Sequence, residues 1–161
     1  MTKARELETE FWTALKSDMT MMLGLIDVEE GHTRPMTAQM KGLDGPIWFF
    51  STRANTLVQN LGGDGRAVAT FASKGHELFA SIHGRLTIDD NPDTIDELWN
   101  PFAAAWYEGG KDDPELVLLR FDAERAEIWQ NENSIFAGLK MLFGHDPKED
   151  YKDKVAEVSL N

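Results

Sequence analysis

The chain has 161 residues, of which 42% are hydrophobic and 27% are charged, so it has apolar material for one packed core. Its formal net charge of -12 repels polyanions, which excludes nucleic acid and anionic membrane surfaces as expected partners. It contains no cysteine, which excludes disulfides, thiol catalysis and thiolate metal sites. We find no apolar stretch of membrane-spanning length and no signal-like N-terminus. We therefore predict one cytoplasmic domain over residues 1–161.

The first half of the chain predicts one helix followed by strands. Apolar residues at helical spacing indicate an amphipathic helix over residues 1–17, with Thr2 as its cap. Residues 55–61 have the pattern of a short helix that ends at Gly62. Short apolar runs between turn residues predict a five-stranded meander, with strands at residues 19–26, 33–41, 47–51, 66–72 and 77–88.

The second half predicts short helices, two closing strands and a charged tail. Asn91 and Pro92 are typical of a helix start, and a second short helix is predicted over residues 102–107. A loop at residues 108–114 follows. The remaining predictions are two separate strands at residues 116–121 and 126–130, a helix at 134–143, and a charged tail at 145–161 with an edge strand at 155–160.

This order of elements predicts the fold class. Many short strands, with helices only at the ends and in one late insertion, favour a closed antiparallel barrel over a parallel sheet. The fold class is therefore mainly β (α+β), and we expect an antiparallel barrel of six or seven strands with peripheral helices.

Arg34 stands out because it begins an apolar row. In a strand, Arg34 shares one face with Met36, Ala38 and Met40. Burying an unpaired guanidinium is unfavourable, so Arg34 requires either a carboxylate of the protein or an anion from outside. For an isolated arginine the carboxylate is the better prediction, but the residues that follow also suit a phosphate.

Those residues lie where the next strand turns into a helix. Ser51 and Thr52 end the strand beside Arg53, and Asn55 and Thr56 begin the helix. Hydroxyl and amide groups here can cap the helix or bind a phosphate, and both roles use the same helix N-terminus. Together with Arg34, they suggest a phosphorylated cofactor held between two strands.

Aromatic residues offer a second, weaker signal. Trp129, near the end of a predicted strand, is either a core residue or a partner for a planar cofactor ring. A cluster of Trp99, Phe102, Trp106 and Tyr107 is more typical of packing or a subunit contact than of a ring-binding site.

Other chemistries lack their motifs. The four histidines show no metal-site spacing, and Asp112 and Asp113 are explained by a turn. A nucleophile elbow and a glycine-rich dinucleotide fingerprint are both missing. We therefore predict no metal site, and we assign no catalytic side chain.

Four short segments resemble one family. They are residues 34–36 (RPM), 48–53 (WFFSTR), 109–114 (GGKDDP) and 124–130 (ERAEIWQ). In this order they resemble the pyridoxamine 5'-phosphate oxidase-like superfamily of split β-barrel flavoproteins, specifically its general stress protein 26 branch. The resemblance implies an FMN-binding homodimer with the flavin at the subunit interface, and FAD as a possible alternative cofactor.

The resemblance also implies which residues bind the cofactor. Arg53 would assist Arg34 in neutralising the phosphate, and Trp129 would reach the flavin from the partner subunit. The implied lining residues are Arg34, Pro35, Met36, Thr37, Phe50, Ser51, Thr52, Asn55 and Thr56.

Three departures from the oxidase pattern bear on function. Thr56 and Leu57 stand where the oxidases have basic residues, which predicts a modest affinity for FMN. Gln39 replaces a substrate-binding lysine, and residues 135–137 (IFA) replace the arginine and histidine that bind the substrate phosphate. We therefore do not expect a true pyridoxamine 5'-phosphate oxidase.

Three functions remain open at this point. The first is a flavin-dependent oxidoreductase whose small-molecule electron donor and acceptor are unidentified. In that case the flavin would carry the chemistry, while the protein sets its position and polarity. The second is a stress-related protein that binds or buffers flavin without turnover, and the third is a dimeric scaffold without cofactor.

Overall fold

The computed structural model describes residues 2–131 and 155–160. Within these residues the helices are α1 (Lys3–Asp18), α2 (Thr56–Leu61), α3 (Pro92–Leu98) and α4 (Pro101–Ala104), with a short 3-10 helix at Gly110–Asp112. The strands are β1 (Thr20–Leu25), β2 (Arg34–Thr37), β3 (Ile47–Thr52), β4 (Asp64–Ala72), β5 (Leu78–Ile88), β6 (Leu116–Gln130) and β7 (Val155–Ser159). The predicted helix at residues 134–143 and the tail up to residue 154 lie outside the described residues.

Helix α1 forms as its sequence predicts. The Thr2 hydroxyl accepts a hydrogen bond from the Arg5 N–H at 3.2 Å and caps the first turn. The side chains on one face of the helix are buried against the sheet, and they include Leu7, Phe11 and Leu15. Because this face is apolar at helical spacing, burial holds the helix against the sheet. No helix in the described part of the chain has the length and hydropathy needed to cross a membrane.

The strands form one mainly antiparallel sheet, as predicted, but not a meander. The strand order is β2-β1-β4-β5-β6-β3, and β7 pairs with the second half of β6. Strand β3 therefore pairs with β6, far along the chain, and β1 pairs with β4. The predicted meander was wrong because strand periodicity shows which residues face the core but does not choose the neighbouring strand. The predicted edge strand at residues 155–160 is confirmed by β7.

The barrel is split rather than closed. Strands β2 and β3 stand at opposite ends of the strand order and form no ladder, and a single bridge joins Gln39, just after β2, to Trp48 of β3. In this bridge each residue donates its N–H to the carbonyl of the other, at 2.7 Å and 2.8 Å. The closed barrel favoured by the order of elements is therefore corrected to an open sheet, whereas the split β-barrel that the resemblance implies is confirmed.

Residues 116–130 form one strand where two were predicted. The charged stretch between the predicted strands lies within β6, where the pairing with β5 shifts register between His83 and Gly84. Arg125 pairs with His83 and Ala123 pairs with Gly84, so Glu124 is the extra residue of a β-bulge. The Glu124 carbonyl accepts the Leu160 N–H at 2.8 Å, so the bulge also receives the end of β7.

The bulge requires glycine at position 84. An alanine Cβ there would collide with the Asp122 carbonyl oxygen and would lie 2.9 Å from the carbonyl carbon. We expect Gly84→Ala to lower the free energy of unfolding by about 1–3 kcal/mol, measured by urea denaturation. Gly42→Ala is the matched control, since its Cβ would meet only an Asp44 side-chain oxygen at 3.5 Å. Equal stability of the two variants would contradict the close approach at the bulge.

A second core cluster packs on the outside of the sheet. Trp48 and Leu118, on the paired strands β3 and β6, face Ile95 and Leu98 of α3. Tyr107 completes the cluster. The segment that carries α3 and α4 is therefore fixed over the outer face of β3, next to the gap in the barrel.

Candidate functional site

Two neighbouring cavities open where the barrel is split. The first, which we call the aromatic cavity, has a volume of about 370 Å³, and the second, the polar cavity, has a volume of about 550 Å³. Asn55 lines both cavities, so they adjoin. The aromatic cavity is lined by Pro35, Met36, Thr37, Gln39, Phe50, Ser51, Thr52, Asn55, Phe102, Ala103, Trp106 and Tyr107. The polar cavity is lined by Glu29, His32, Arg34, Ala54, Asn55, Thr56 and Asn60.

The bridge between Gln39 and Trp48 explains why two separate sequence motifs meet here. It joins the end of β2 to the start of β3, although the two strands do not form a ladder. Residues 35–37 of β2 and 50–52 of β3 therefore line the same opening. The aromatic cavity thus brings together most of the residues that the sequence predicted for the cofactor ring.

Ser51 provides the most informative polar group of the aromatic cavity. Its residue is 5% exposed, and its hydroxyl is the one buried side-chain polar atom in the described residues that has no hydrogen-bond partner. Buried hydroxyls are almost always paired in folded proteins. Because Ser51 lines the cavity, a ligand bound there is the candidate for the missing partner.

Tyr107 holds the main chain of Ser51 in place. Its hydroxyl donates a hydrogen bond to the Ser51 carbonyl at 2.6 Å. Burial, with a smaller contribution from the charge of Asp113, raises the pKa of Tyr107 to about 12. Tyr107 is therefore neutral at physiological pH, and it acts as a fixed donor to the strand rather than as an acid or base.

In the polar cavity, Arg34 has a carboxylate partner, which the sequence left open. Its Nη1 donates to Oε1 of Glu29 at 2.6 Å and to the Leu23 carbonyl at 3.2 Å, while Nη2 donates to Oε2 of Glu29. The side chains of Glu29 and Arg34 are only 3% and 15% exposed. The pair is a buried, two-pronged ion pair.

Each carboxylate oxygen of Glu29 accepts a second hydrogen bond besides the one from Arg34. Glu29 thus accepts the Leu25 N–H at 3.0 Å and the Asn60 amide at 3.3 Å. The Arg34 guanidinium, the Leu25 N–H and the Asn60 amide outweigh burial and lower the pKa of Glu29 to about 2. Glu29 is therefore ionised, and it cancels the formal charge of Arg34. Sequence reasoning missed Glu29 because nothing distinguishes it from the other acidic residues of its turn.

Asn55 lies at the junction of the two cavities, and Thr56 lines the polar cavity. The Asn55 side chain accepts the Leu57 N–H at 2.9 Å, so it caps α2. The capping interpretation is confirmed. It leaves the amide NH₂ of Asn55 and the hydroxyl of Thr56 as neutral donors beside Arg34.

Two predicted residues lie elsewhere. Arg53 donates through Nε to the Pro114 carbonyl at 2.9 Å and lies 3.6 Å from Asp90, and it lines neither cavity. Trp129 pairs with Phe79 on the opposite half of the sheet and lines a different cavity beside His83 and Arg125. Trp129 of the same chain therefore does not belong to the site.

Residues that could bind a metal ion do not cluster in the described part of the chain. Among residues 2–131 and 155–160, no three His, Asp or Glu side chains gather closely enough to hold a metal ion. His83 stands alone beside the charges of Arg125 and Arg66, and burial followed by these charges lowers its pKa.

Comparison with known proteins agrees with this architecture. The family model described as "Pyridoxamine 5'-phosphate oxidase like" matches residues 6–151 of the chain. No match was found among curated proteins.

Solved structures also resemble the chain. The crystal structure of the general stress FMN/FAD binding protein from the phytopathogen Xanthomonas citri is 58% identical over 81% of this chain and 93% of that chain, with a TM-score of 0.77. A general stress family protein from Xanthomonas campestris pv. campestris is 57% identical over 84% of this chain and 94% of that chain, with a TM-score of 0.78.

A more distant structure covers nearly the whole length. General stress protein 26 from Jannaschia sp. CCS1 is 27% identical over 97% of this chain and 99% of that chain, with a TM-score of 0.80. The family match, these structures and the split sheet lead to the same assignment. The chain belongs to the pyridoxamine 5'-phosphate oxidase-like family and, within it, to the general stress protein 26 branch.

Proposed function

We propose that this protein binds FMN, with the flavin ring in the aromatic cavity and the phosphate end in the polar cavity. The unpaired hydroxyl of Ser51 carries the proposal, because a flavin ring offers carbonyl and nitrogen groups that can satisfy it. The name of the Xanthomonas citri relative, which is 58% identical, supports flavin as the ligand.

The phosphate end would be held mostly by neutral groups. Because Glu29 cancels the charge of Arg34, the side-chain donors left for a phosphate are those of His32, Asn55, Thr56 and Asn60, with Arg34 as a fixed but compensated cation. A compensated site gains less from a phosphate dianion than a free arginine does. We therefore expect FMN to bind only modestly more tightly than riboflavin. The polar cavity, with a volume of about 550 Å³, also leaves room for the larger end of FAD.

A bound flavin would supply electron-transfer chemistry, and the protein would supply position and polarity. Residues 35–37 and 50–52 would form the wall for the ring, and Tyr107 would keep Ser51 in register through its carbonyl. No described residue that lines the aromatic cavity is an acid or base near neutral pH, because the pKa of Tyr107 is raised. We therefore propose a flavin-dependent oxidoreductase that differs from the true oxidase in its substrate.

The lack of an acid or base in the described lining of the aromatic cavity also supports a second candidate function. A cavity with no proton donor or acceptor near neutral pH also suits a protein that stores flavin without turnover. Reoxidation of the reduced flavin by added acceptors, followed by absorbance, would separate the two functions. Retention of reduced flavin despite those acceptors would favour storage.

We also propose a cytoplasmic homodimer with the flavin at its interface. Trp129 lies outside both cavities of its own chain, so it could reach a flavin only from a second copy. Sedimentation of the protein with and without FMN measures the oligomeric state. A monomer under both conditions would remove Trp129 from the site.

Titration of the flavin-free protein with FMN, riboflavin and FAD tests the proposed function directly. Flavin fluorescence at fixed ionic strength gives the three dissociation constants. Binding of FMN and riboflavin within about tenfold of each other is the expected result, since ring contacts dominate. Failure of all three flavins to bind would leave the scaffold without cofactor as the remaining function.

Ser51→Ala tests the ring contact itself. We expect FMN and riboflavin to bind about 2–10-fold more weakly, because each loses one hydrogen bond to the ring. The free energy of unfolding of the flavin-free variant should not fall, because the hydroxyl has no protein partner. Ser17→Ala, on the exposed surface of α1, is the control. Unchanged affinity for both flavins would place the ring elsewhere.

A further inference from the structure

Two exposed aromatic side chains line the aromatic cavity together with residues of β2 and β3. Phe102 in α4 and Trp106 just after it are 84% and 82% exposed, and both line the cavity. Isolated exposed apolar residues are ordinary, but two large rings at the mouth of one cavity form a surface that suits a ligand. We call Phe102, Ala103 and Trp106 the helix wall.

Hydrogen bonds hold the main chain of the helix wall. The Asn100 side chain accepts the N–H groups of Phe102 and Ala103, each at 3.0 Å, and the Trp106 N–H donates to the Ala103 carbonyl at 3.0 Å. Directly after Trp106, the buried Tyr107 fixes the chain to the strand below. The main chain that carries the two rings is therefore an ordered turn, so a ligand would have to order only their side chains on binding.

The cavity carries no charge in the described part of the chain. Its lining residues are neutral, including Tyr107, and the nearest lysines along the chain are already paired. Lys41 lies 2.8 Å from Glu97, and Lys111 lies 2.9 Å from Asp96. The chain as a whole has a net charge of -12, and the described lining offers no free cation to a phosphate or carboxylate, whereas an uncharged ring gives up no ionic hydration on entering.

We propose that the helix wall binds the second substrate, and that this substrate is a neutral, planar aromatic molecule. Phe102 and Trp106 contact its ring, and the absence of an unpaired cation from the described lining selects against phosphorylated or carboxylated compounds. The inference rests on the proposed function in one respect, since it places this ligand in the cavity that the flavin ring shares. It names the class of substrate that the departures from the oxidase pattern left open.

The test uses isothermal titration calorimetry of the FMN-loaded protein with two matched probes. Menadione is a neutral naphthoquinone, and 1,4-naphthoquinone-2-sulfonate carries a fixed negative charge on a similar ring. We expect menadione to bind at least about tenfold more tightly than the sulfonate. Trp106→Ala and Phe102→Ala should each weaken menadione binding by about 3–10-fold. Val28→Ala, at another exposed apolar residue, is the control and should bind as the wild type does.

Three results would overturn the inference. Equal binding of the two probes would show that charge does not select the ligand, and unchanged menadione binding by Trp106→Ala would show that the helix wall is not used. If menadione fails to bind and Trp106→Ala instead dissociates an oligomer in sedimentation, the helix wall is a contact between copies of the chain. Flavin fluorescence measures FMN binding separately, and the same titrations on flavin-free protein test the helix wall even where FMN does not bind.

Discussion

Replacing Glu29 with alanine is expected to lower the free energy of unfolding by about 3–5 kcal/mol, the largest effect of any single change considered. The substitution leaves the guanidinium of Arg34, only 15% exposed, without its carboxylate partner. It also removes the acceptor for the Leu25 N–H and the Asn60 amide. Urea denaturation of the flavin-free protein measures the loss.

Two further variants identify the cause. Glu30→Ala removes the neighbouring exposed carboxylate and should change stability by no more than about 0.5 kcal/mol. The double variant Glu29→Gln with Arg34→Met removes both charges, and it should recover most of the stability because neither buried charge is left unpaired. A double variant as unstable as Glu29→Ala would contradict the argument and would point to packing rather than charge.

Local structure could largely be predicted from the sequence. The helix capped by Thr2, the short helix that ends at Gly62, and most strands follow from periodicity and turn residues that act within a few positions. The pairing of β3 with β6 could not be predicted, because it depends on contacts between residues about 70 positions apart. The bulge at Glu124 was misread as a break, since its charged residues resemble a turn.

The residues of the candidate site could likewise be predicted only in part from the sequence. Residues 35–37 and 50–52 carry a strand pattern and hydroxyl groups that the sequence displays, and the structure brings them to one cavity. The partner of Arg34 could not be chosen, because its identity depends on how the turn after β1 folds back. The sequence displays the aromatic cluster of Trp99, Phe102, Trp106 and Tyr107, but only the structure shows that two of these rings, Phe102 and Trp106, are exposed and line the cavity.

The two arginines predicted at the cofactor site, Arg34 and Arg53, are both paired within the protein, so neither leaves a free positive charge there. Arg34 is paired with Glu29, and Arg53 is held by Pro114 and Asp90. A ligand that enters either cavity therefore meets dipoles and rings more than free charge. This environment favours ring recognition over phosphate recognition, and it links the proposed flavin site to the neutral ligand expected at the helix wall.

Stability is expected to fall by about 3 kcal/mol as the pH is lowered from 4.5 to 2, through Glu29 alone. The pKa of Glu29 is lowered from 4.5 to about 2 in the folded protein, chiefly by its hydrogen bonds from Arg34. Since the folded pKa is the lower one, the stabilisation is fully present above pH 4.5 and is lost as the pH falls toward 2. Urea denaturation of the wild type and of the double variant Glu29→Gln with Arg34→Met, at about pH 6 and at about pH 2.5, isolates this contribution. Asp113 and Glu124 also have lowered pKa values, but they titrate in both proteins and cancel in the comparison. An equal loss of stability in the two proteins would mean that the buried pair does not govern acid unfolding.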